Sequence, residues 1–485
     1  MKQYFKSQQG MALVTVMAMT TIFIVMAGGL SGIALLQKKL NSQQVARHTA
    51  LHVAEAGVNY YRWHLAHAQS DFMDGTGSDP GGGGAPYGPY THAFNSPGNT
   101  MSGTYVLEIT PPPAGSTIVK IRSTGWVNSN PNIKRTIEVR YGIPSLAKFS
   151  FLTNSDAWFG PSDGIVGEMH SNGGIRMDGT NDALLTSARQ TYACPAGQGC
   201  NTQPTCNAPC TWSATSTSCN CPGVWGTGAG SSLWTYPVTT VDFNSITANL
   251  DTLLTLSTNG GVHLKVNGSN KGYHIIFKSN GHFDAKLISA LNNGIQQQND
   301  TWSGWVNTAE SIKTEGAATD YAIPANGIIF IEDGDAYVEG TVNGRVTLVA
   351  ATLPAQVNKY RSIIINSNLQ YFARDGNHIL GLIAQKDVKV PKHAPTNLTI
   401  DGFLLAQYGR VFRNQYNPSA TRTKIEIYGG ILTNQTWTWS WANGSGVVFD
   451  GYASSTSIYD PLATFSPPPS FPTSGEYTFI SWAEK

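Results

Sequence analysis

No charged residue occurs between Met11 and Leu36, and this run constrains the fold more than any other feature of the chain. A helix of about 20 apolar residues crosses a bilayer. A secretory signal instead has an apolar core of about 7–15 residues, followed by small residues at a cleavage site. Here the run is longer, and no A-x-A closes it. Lys2 and Lys6 lie before it, which predicts a cytoplasmic N-terminus and an external bulk.

The helical pattern continues past the apolar run. Leu40, Val45, Ala46, Leu51, Val53, Ala54, Val58 and Tyr61 recur at spacings near three and four, and no proline occurs before Pro80. This predicts one helix over 11–69, transmembrane over about 11–36 and amphipathic beyond. At 1.5 Å per residue it would be roughly 88 Å long. His48 and His52 have the i, i+4 spacing of metal ligands, but with no acidic third ligand the two read as a solvated helix face. Glu55 reads either as an assembly contact or as a solvated charge.

Residues 70–103 have loop composition, with strong breakers such as DPGGGGAPYGP. Alternating runs follow at Thr104–Thr110, Thr117–Val127 and Ile133–Ile143, separated by TPPPAGS and NSNPN turns. A small antiparallel meander within 70–143 would offer the helix's apolar stripe a matching half-buried face.

Several stretches together resemble the type IV pilin superfamily, and its PilX-type minor pilins in particular. They are a basic leader ending QQG at Gly10, the apolar run from Met11, the segment ALHVAEAG (Ala50 to Gly57), and IRSTGWV followed by KRTIEVRY. The resemblance implies a prepilin-type leader over 1–10, cut between Gly10 and Met11 by a prepilin peptidase, with methylation of the new N-terminus. The helix would be kept, first as a single-pass anchor in the bacterial inner membrane and then as the packing element of an extracellular filament. Its helix motif would be Ala54, Glu55, Ala56 and Gly57. Most pilins carry glutamate at the fifth mature position. Here that position is Thr15, which cannot form the ion pair attributed to that glutamate, and this points to a minor or tip position.

Charged residues make up 13% of the chain and the net charge is +1, so no basic face for nucleic acid is expected. The 51 glycines and many Asn, Ser and Thr residues suit extracellular β-structure. All 6 cysteines, Cys194, Cys200, Cys206, Cys210, Cys219 and Cys221, fall in an insertion at about 190–225. An even count in a loop-like stretch reads as a disulfide framework. Zinc is the rival, but no CxxC and no histidine accompany the cysteines. Connectivity is not readable from the spacing.

Over 144–458, short apolar runs end repeatedly in Gly, Asn or Asp, as in GIIFIEDGDAYVEGTVNGRVTLVAA. Such frequent turns with almost no helix signal suit a stacked parallel β-solenoid, with a β-sandwich as the alternative. The stretches MHSNGGIRM, ILGLIAQKDVKVP, IDGFLLAQ, YGGILTNQ and YDPLATFSPPPSFP resemble the β-helical domains appended to PilX-like proteins, which implies a right-handed parallel β-helix. The expected architecture is an α+β pilin-like N-terminal part, a mainly-β domain over 144–458, and a Pro/aromatic tail over 459–485.

Enzymatic β-helices need acids, bases or calcium on one face. Glu332, Asp333 and Asp335 in EDGD, with Asp375, His378 and Asp387, are candidates, but EDGD stands where a turn is needed. His170 likewise reads as a structural side chain. No Ser-His-Asp order, P-loop or zinc motif occurs, so no catalytic residue, metal or cofactor is assigned. In TWTWSW, alternation would place Trp437, Trp439 and Trp441 on one side of a strand, either as a candidate binding surface or as a cap on the solenoid. The expected function is a non-enzymatic minor pilin or pilus assembly or tip protein with an exposed head for adhesion or assembly. Its partners would be the prepilin peptidase, other pilins, the inner membrane, and surface glycans or host ligands. The alternative is a membrane-anchored β-helical carbohydrate-active or carbohydrate-binding surface protein.

Overall fold

One helix, α1 (Gln9–His67), opens the described chain. The computed structural model describes residues 9–96, 98, 102–113, 115–194, 200, 206–213, 218–243, 249–443 and 447–485. Of the expected leader, residues 1–8 lie outside the described residues. The chain divides into two units. The first comprises Met1–Pro112, Ile118–Gly142 and Tyr477–Lys485, the second Pro113–Thr117 and Ile143–Glu476.

In the first unit every residue of α1 from Met11 to Val45 is exposed. Burial begins at Ala46 and repeats at Ala50, Val53, Ala54, Val58, Tyr61 and Leu65, the 3.6-residue stripe of a helix lying on a sheet. Of the expected stripe, Leu40 and Val45 remain exposed, because the sheet does not reach that far along the helix. The sheet is antiparallel, in the order β1 (Tyr87–Asn95), β2 (Ser102–Thr110), β3 (Ile118–Val127), β4 (Lys134–Gly142) and a closing strand, Thr478–Glu484. Alternation in β2 and β3 sends Leu107, Ile109, Val119 and Ile121 into one core with the helix stripe.

Two strands of this sheet differ from the sequence expectation. β1 lies in the stretch read as loop. It is an edge strand whose register shifts between Tyr87 and Tyr90, which is where a sheet tolerates Pro89. The closing strand returns the C-terminus to β4, pairing Trp482 with Val139.

The second unit is built mainly from parallel ladders, with antiparallel pairs such as Gly272–Phe277 with His282–Asn292 added to them. On the first face, one register runs His263, Phe330, Val349, Ile383, Leu405, Leu432, Leu152, His170, Thr186, Thr235. A second face pairs Ala336, Ile363, Val388 and Val411. A third runs Gly340, Leu369, Ile400, Ile427, Ser457, Ile165, Asn181. Runs such as Ile328–Glu332 and Ile379–Ala384 are buried at every position, as parallel strands covered on both sides must be. The segment Ser466–Phe471 supplies part of the cover. Arg345 donates to the Ser466 and Pro467 carbonyls, and Phe471 and Pro468 lie where a side chain at Gly381 would stand.

The order of the ladders is not the order of the chain. Between Leu432 and Leu152 the first ladder joins the last strands in the sequence to the first. This seam is stitched by Asn154 Nδ2 donating to Asn434 Oδ1 at 2.9 Å and by the Ser155 and Thr436 hydroxyls at 2.9 Å. On the second face the pairing breaks at the seam. Thr438 bridges Phe412 on one side, while the strand Ala157–Phe159 pairs with Ile175–Met177 on the other.

Candidate functional site

The apolar half of α1 is long and apolar enough to cross a membrane. Its threonine side chains satisfy themselves within the helix. Thr15 Oγ1 donates to the Met11 carbonyl at 2.6 Å, and Thr20 and Thr21 bond one turn back in the same way. A hydroxyl bonded to its own helix needs no partner in a bilayer.

The AEAG stretch has a definite packing role. Ala54 is fully buried, and its backbone lies where a side chain at Gly125 of β3 would stand. Gly57 faces Ser123 and Tyr105, with no room for a Cβ. Two pairs of small residues thus let the helix backbone approach the strand closely. Glu55 turns away and lies 3.1 Å from the exposed His52. His64 and His67 also bond within the protein. His64 Nε2 lies 3.1 Å from Asp71, and His67 Nδ1 lies 2.8 Å from the Trp63 carbonyl.

The six cysteines form three disulfides, Cys194–Cys200, Cys206–Cys219 and Cys210–Cys221, beside a small antiparallel sheet made of Thr191–Cys194, Thr211–Ser213 and Ser218–Pro222. The sulfurs of Cys194, Cys200 and Cys221 lie within 4.8 Å of one another, but each is committed to a disulfide and offers no thiolate.

The candidate acids are occupied. Glu332 accepts from Lys265 Nζ and pairs with His263, both at 2.8 Å, and Asp333 has a positive φ of 66°, as a turn residue does. Asp335 accepts the Ser362 amide. Asp375 pairs with His378 at 2.8 Å, a bond that, with the Asn377 amide, holds its carboxyl down at about 2. Asp387 accepts the Arg410 amide. His170 is buried between Thr186 Oγ1 and Asn172 Oδ1, and burial lowers its proton affinity.

The tryptophan run lies at the seam, in the middle of the stack rather than at its end. Trp437 and Trp439 are buried, at 7% and 1% exposure, so the expected single exposed row is divided. Trp437 packs on Phe151 at 5.2 Å and Phe159 at 4.8 Å. Trp441 is half-buried and joins Trp158 and Trp302 around a cavity of about 370 Å³, with Trp437 and Trp439 also lining it. Residues remote in sequence meet here because the backbone pairing is interrupted. Trp158 and Trp302 had no signal beyond being isolated tryptophans. Asp156 and Asp163 also line the cavity, and burial pushes both carboxyls above their ordinary range.

Beneath Trp441 lies a fully buried ion pair, Arg413 Nη1 to Asp450 Oδ1 at 2.9 Å. The Trp441 indole N–H donates to the Arg413 carbonyl.

These features define a class: a protein with one long N-terminal helix packed on an antiparallel sheet, and a large, mostly β unit that carries disulfides. No protein-family model and no curated protein matches the chain. Among solved structures it is similar to the competence-associated pilin ComZ from Thermus thermophilus, over 91% of this chain and 97% of that one, at 13% identity and a TM-score of 0.30.

Proposed function

We propose that this chain is a PilX-like minor pilin or pilus tip protein of a type IV pilus-like filament. It is cut after Gly10, held in the inner membrane by residues 11–36, and then carried outward with a large β-helical head available for adhesion or assembly. The observation that carries the reading is α1 itself. Its first half is wholly exposed and apolar, and its second half is seated on an antiparallel sheet through Ala54 and Gly57. A helix that must lie in lipid and later against neighbouring helices needs this division. The Thr15 hydroxyl, bonded within its own helix, fits a subunit that does not use the glutamate ion pair. Three disulfides fit an oxidising compartment outside the cytoplasm. Three parallel ladders with buried apolar registers favour a parallel β-helix over a sandwich as the head.

A second reading, a membrane-anchored surface protein that binds carbohydrate without entering a filament, is favoured by the tryptophan-lined cavity. Intact mass and N-terminal sequencing from native membranes separate the two. A mature chain starting at methylated Met11, lost in a strain without prepilin peptidase, is expected. A chain that keeps residues 1–10 in both strains overturns the pilin reading.

A further inference from the structure

The cavity at the seam has the chemistry of a ligand site that neither the helix nor the filament reading uses. About 370 Å³ is within the range of small-molecule sites, and the lining is dominated by five indoles. The rings stand in perpendicular pairs. Trp302 and Trp441 meet at 86° with centroids 5.0 Å apart, and Trp437 and Trp439 meet at 84° and 6.2 Å.

The three half-buried rings are held in place. The Trp158 indole N–H donates to Asp178 at 2.9 Å, and Arg176 lies 4.8 Å from its ring centre. Arg410 lies 4.3 Å from the Trp302 ring. Trp441 is tied to the Arg413 carbonyl over the buried Arg413–Asp450 pair. Trp302 itself has a positive φ of 55°, a conformation a bulky residue rarely adopts, so its loop presents the ring at a conformational cost. Large side chains already fixed lose little entropy when a ligand arrives.

The polar groups narrow the ligand. Asp156 and Asp163 line the cavity, and among the described residues no Lys, Arg or His does. Asp163 is anchored by the Gly160 amide at 2.8 Å and by Ser455 Oγ, and Asp156 by the Gly174 amide at 2.7 Å. Carboxylates beside rings repel an anionic ligand and accept hydrogen bonds from hydroxyls. A pyranose ring combines an apolar C–H face, which packs on an indole, with hydroxyls around its rim. A quaternary ammonium ion would also find ring faces. Its compact head would leave much of this volume empty.

We infer that the seam cavity binds a neutral or N-acetylated pyranose unit of a glycan, with Trp158, Trp302 and Trp441 as stacking surfaces and Asp156 and Asp163 as hydroxyl acceptors. This does not depend on the pilin reading, since residues 1–36 take no part.

The test uses the full chain in lipid nanodiscs, without sugar-headed detergents. Titration calorimetry compares a neutral glucan tetrasaccharide, a chitin tetrasaccharide, an oligogalacturonate and choline. Binding of one or both neutral probes is expected, weakened about tenfold in Trp302→Ala and Trp441→Ala and unchanged in Trp63→Ala, whose ring is exposed on α1. Where Trp302→Ala disturbs the fold, Trp302→Phe keeps a ring and is expected to retain part of the affinity. Binding of choline or oligogalacturonate in preference to the neutral probes overturns the inference. So does neutral binding that both alanine variants leave intact, or no binding of either neutral probe at millimolar concentration.

Discussion

Replacing Asp450 by alanine should be the most damaging single change near the cavity. Both side chains of the Arg413–Asp450 pair have no solvent exposure. The carboxylate accepts from Arg413 Nη1, from the Tyr416 amide at 2.6 Å, and from the Ala420 and Gly451 amides at 3.0 and 2.7 Å. Removing it leaves the buried guanidinium with only the Asn414 and Ala420 carbonyls, at 3.4 and 2.9 Å, and takes the carboxylate acceptor from three amides, of which Gly451 keeps the Ala420 carbonyl at 3.4 Å. Breaking a buried pair from one side costs about 3–5 kcal/mol, and each stranded donor adds about 1–3 kcal/mol where water cannot reach it. Arg413→Met should cost less, because three backbone N–H groups continue to solvate the carboxylate. Urea unfolding followed by tryptophan fluorescence reads both, since Trp441 hangs on the Arg413 carbonyl. A loss below about 1 kcal/mol for Asp450→Ala, or an equal or larger loss for Arg413→Met, would refute the reasoning.

Two further outcomes are expected. Gly125→Val should loosen α1 from β3, because the new Cβ would stand 2.7 Å from the Ala50 carbonyl oxygen and 2.9 Å from Ala54 Cα, both backbone atoms that cannot swing aside. Overpacking of this kind costs about 1–3 kcal/mol, read as a lower urea midpoint, while Gly28→Ala, with open space around it, should leave the midpoint unchanged. His274 should make the second unit's stability fall on the alkaline side. Burial disfavours its charged form, but Glu339 and Glu315 outweigh burial and raise its pKa above 6.5. A raised folded pKa adds stability that is complete below pH 6.5 and lost as pH climbs through the folded value. Thermal melts across that range should show the slope in the native chain and lose it in His274→Gln, and an unchanged slope would remove His274 as its source.

The long helix was legible because its signals are local. An uncharged run, a stripe with 3.6-residue spacing and the absence of proline are all read within a few turns of one segment. The strands β2, β3 and β4 were legible through alternation for the same reason. β1 was hidden by Pro86, Pro89 and the glycines before them, which an edge strand with a register shift accommodates. The cysteines announced disulfides without saying which pairs form, because a pairing is a distance between chain positions and not a local pattern. His170 and EDGD were read as structural from residue type and turn chemistry, which are likewise local signals.

The cavity depended wholly on tertiary structure. Strands such as Ile328–Glu332, Arg345–Ala351 and Ile379–Ala384 are apolar on both faces, so nothing in their local sequence distinguishes one neighbour from another. Only the set of ladders as a whole decides that Leu432 lies beside Leu152, and that decision brings Trp441, Trp158 and Trp302 to one opening. The sequence by itself determined where α1 and the strands β2, β3 and β4 form and that the cysteines are clustered, since those depend on neighbouring residues. The pairing at the seam, the disulfide pairs, the closing strand on β4 and the cavity required the tertiary structure, because each depends on segments that meet only after the chain has folded.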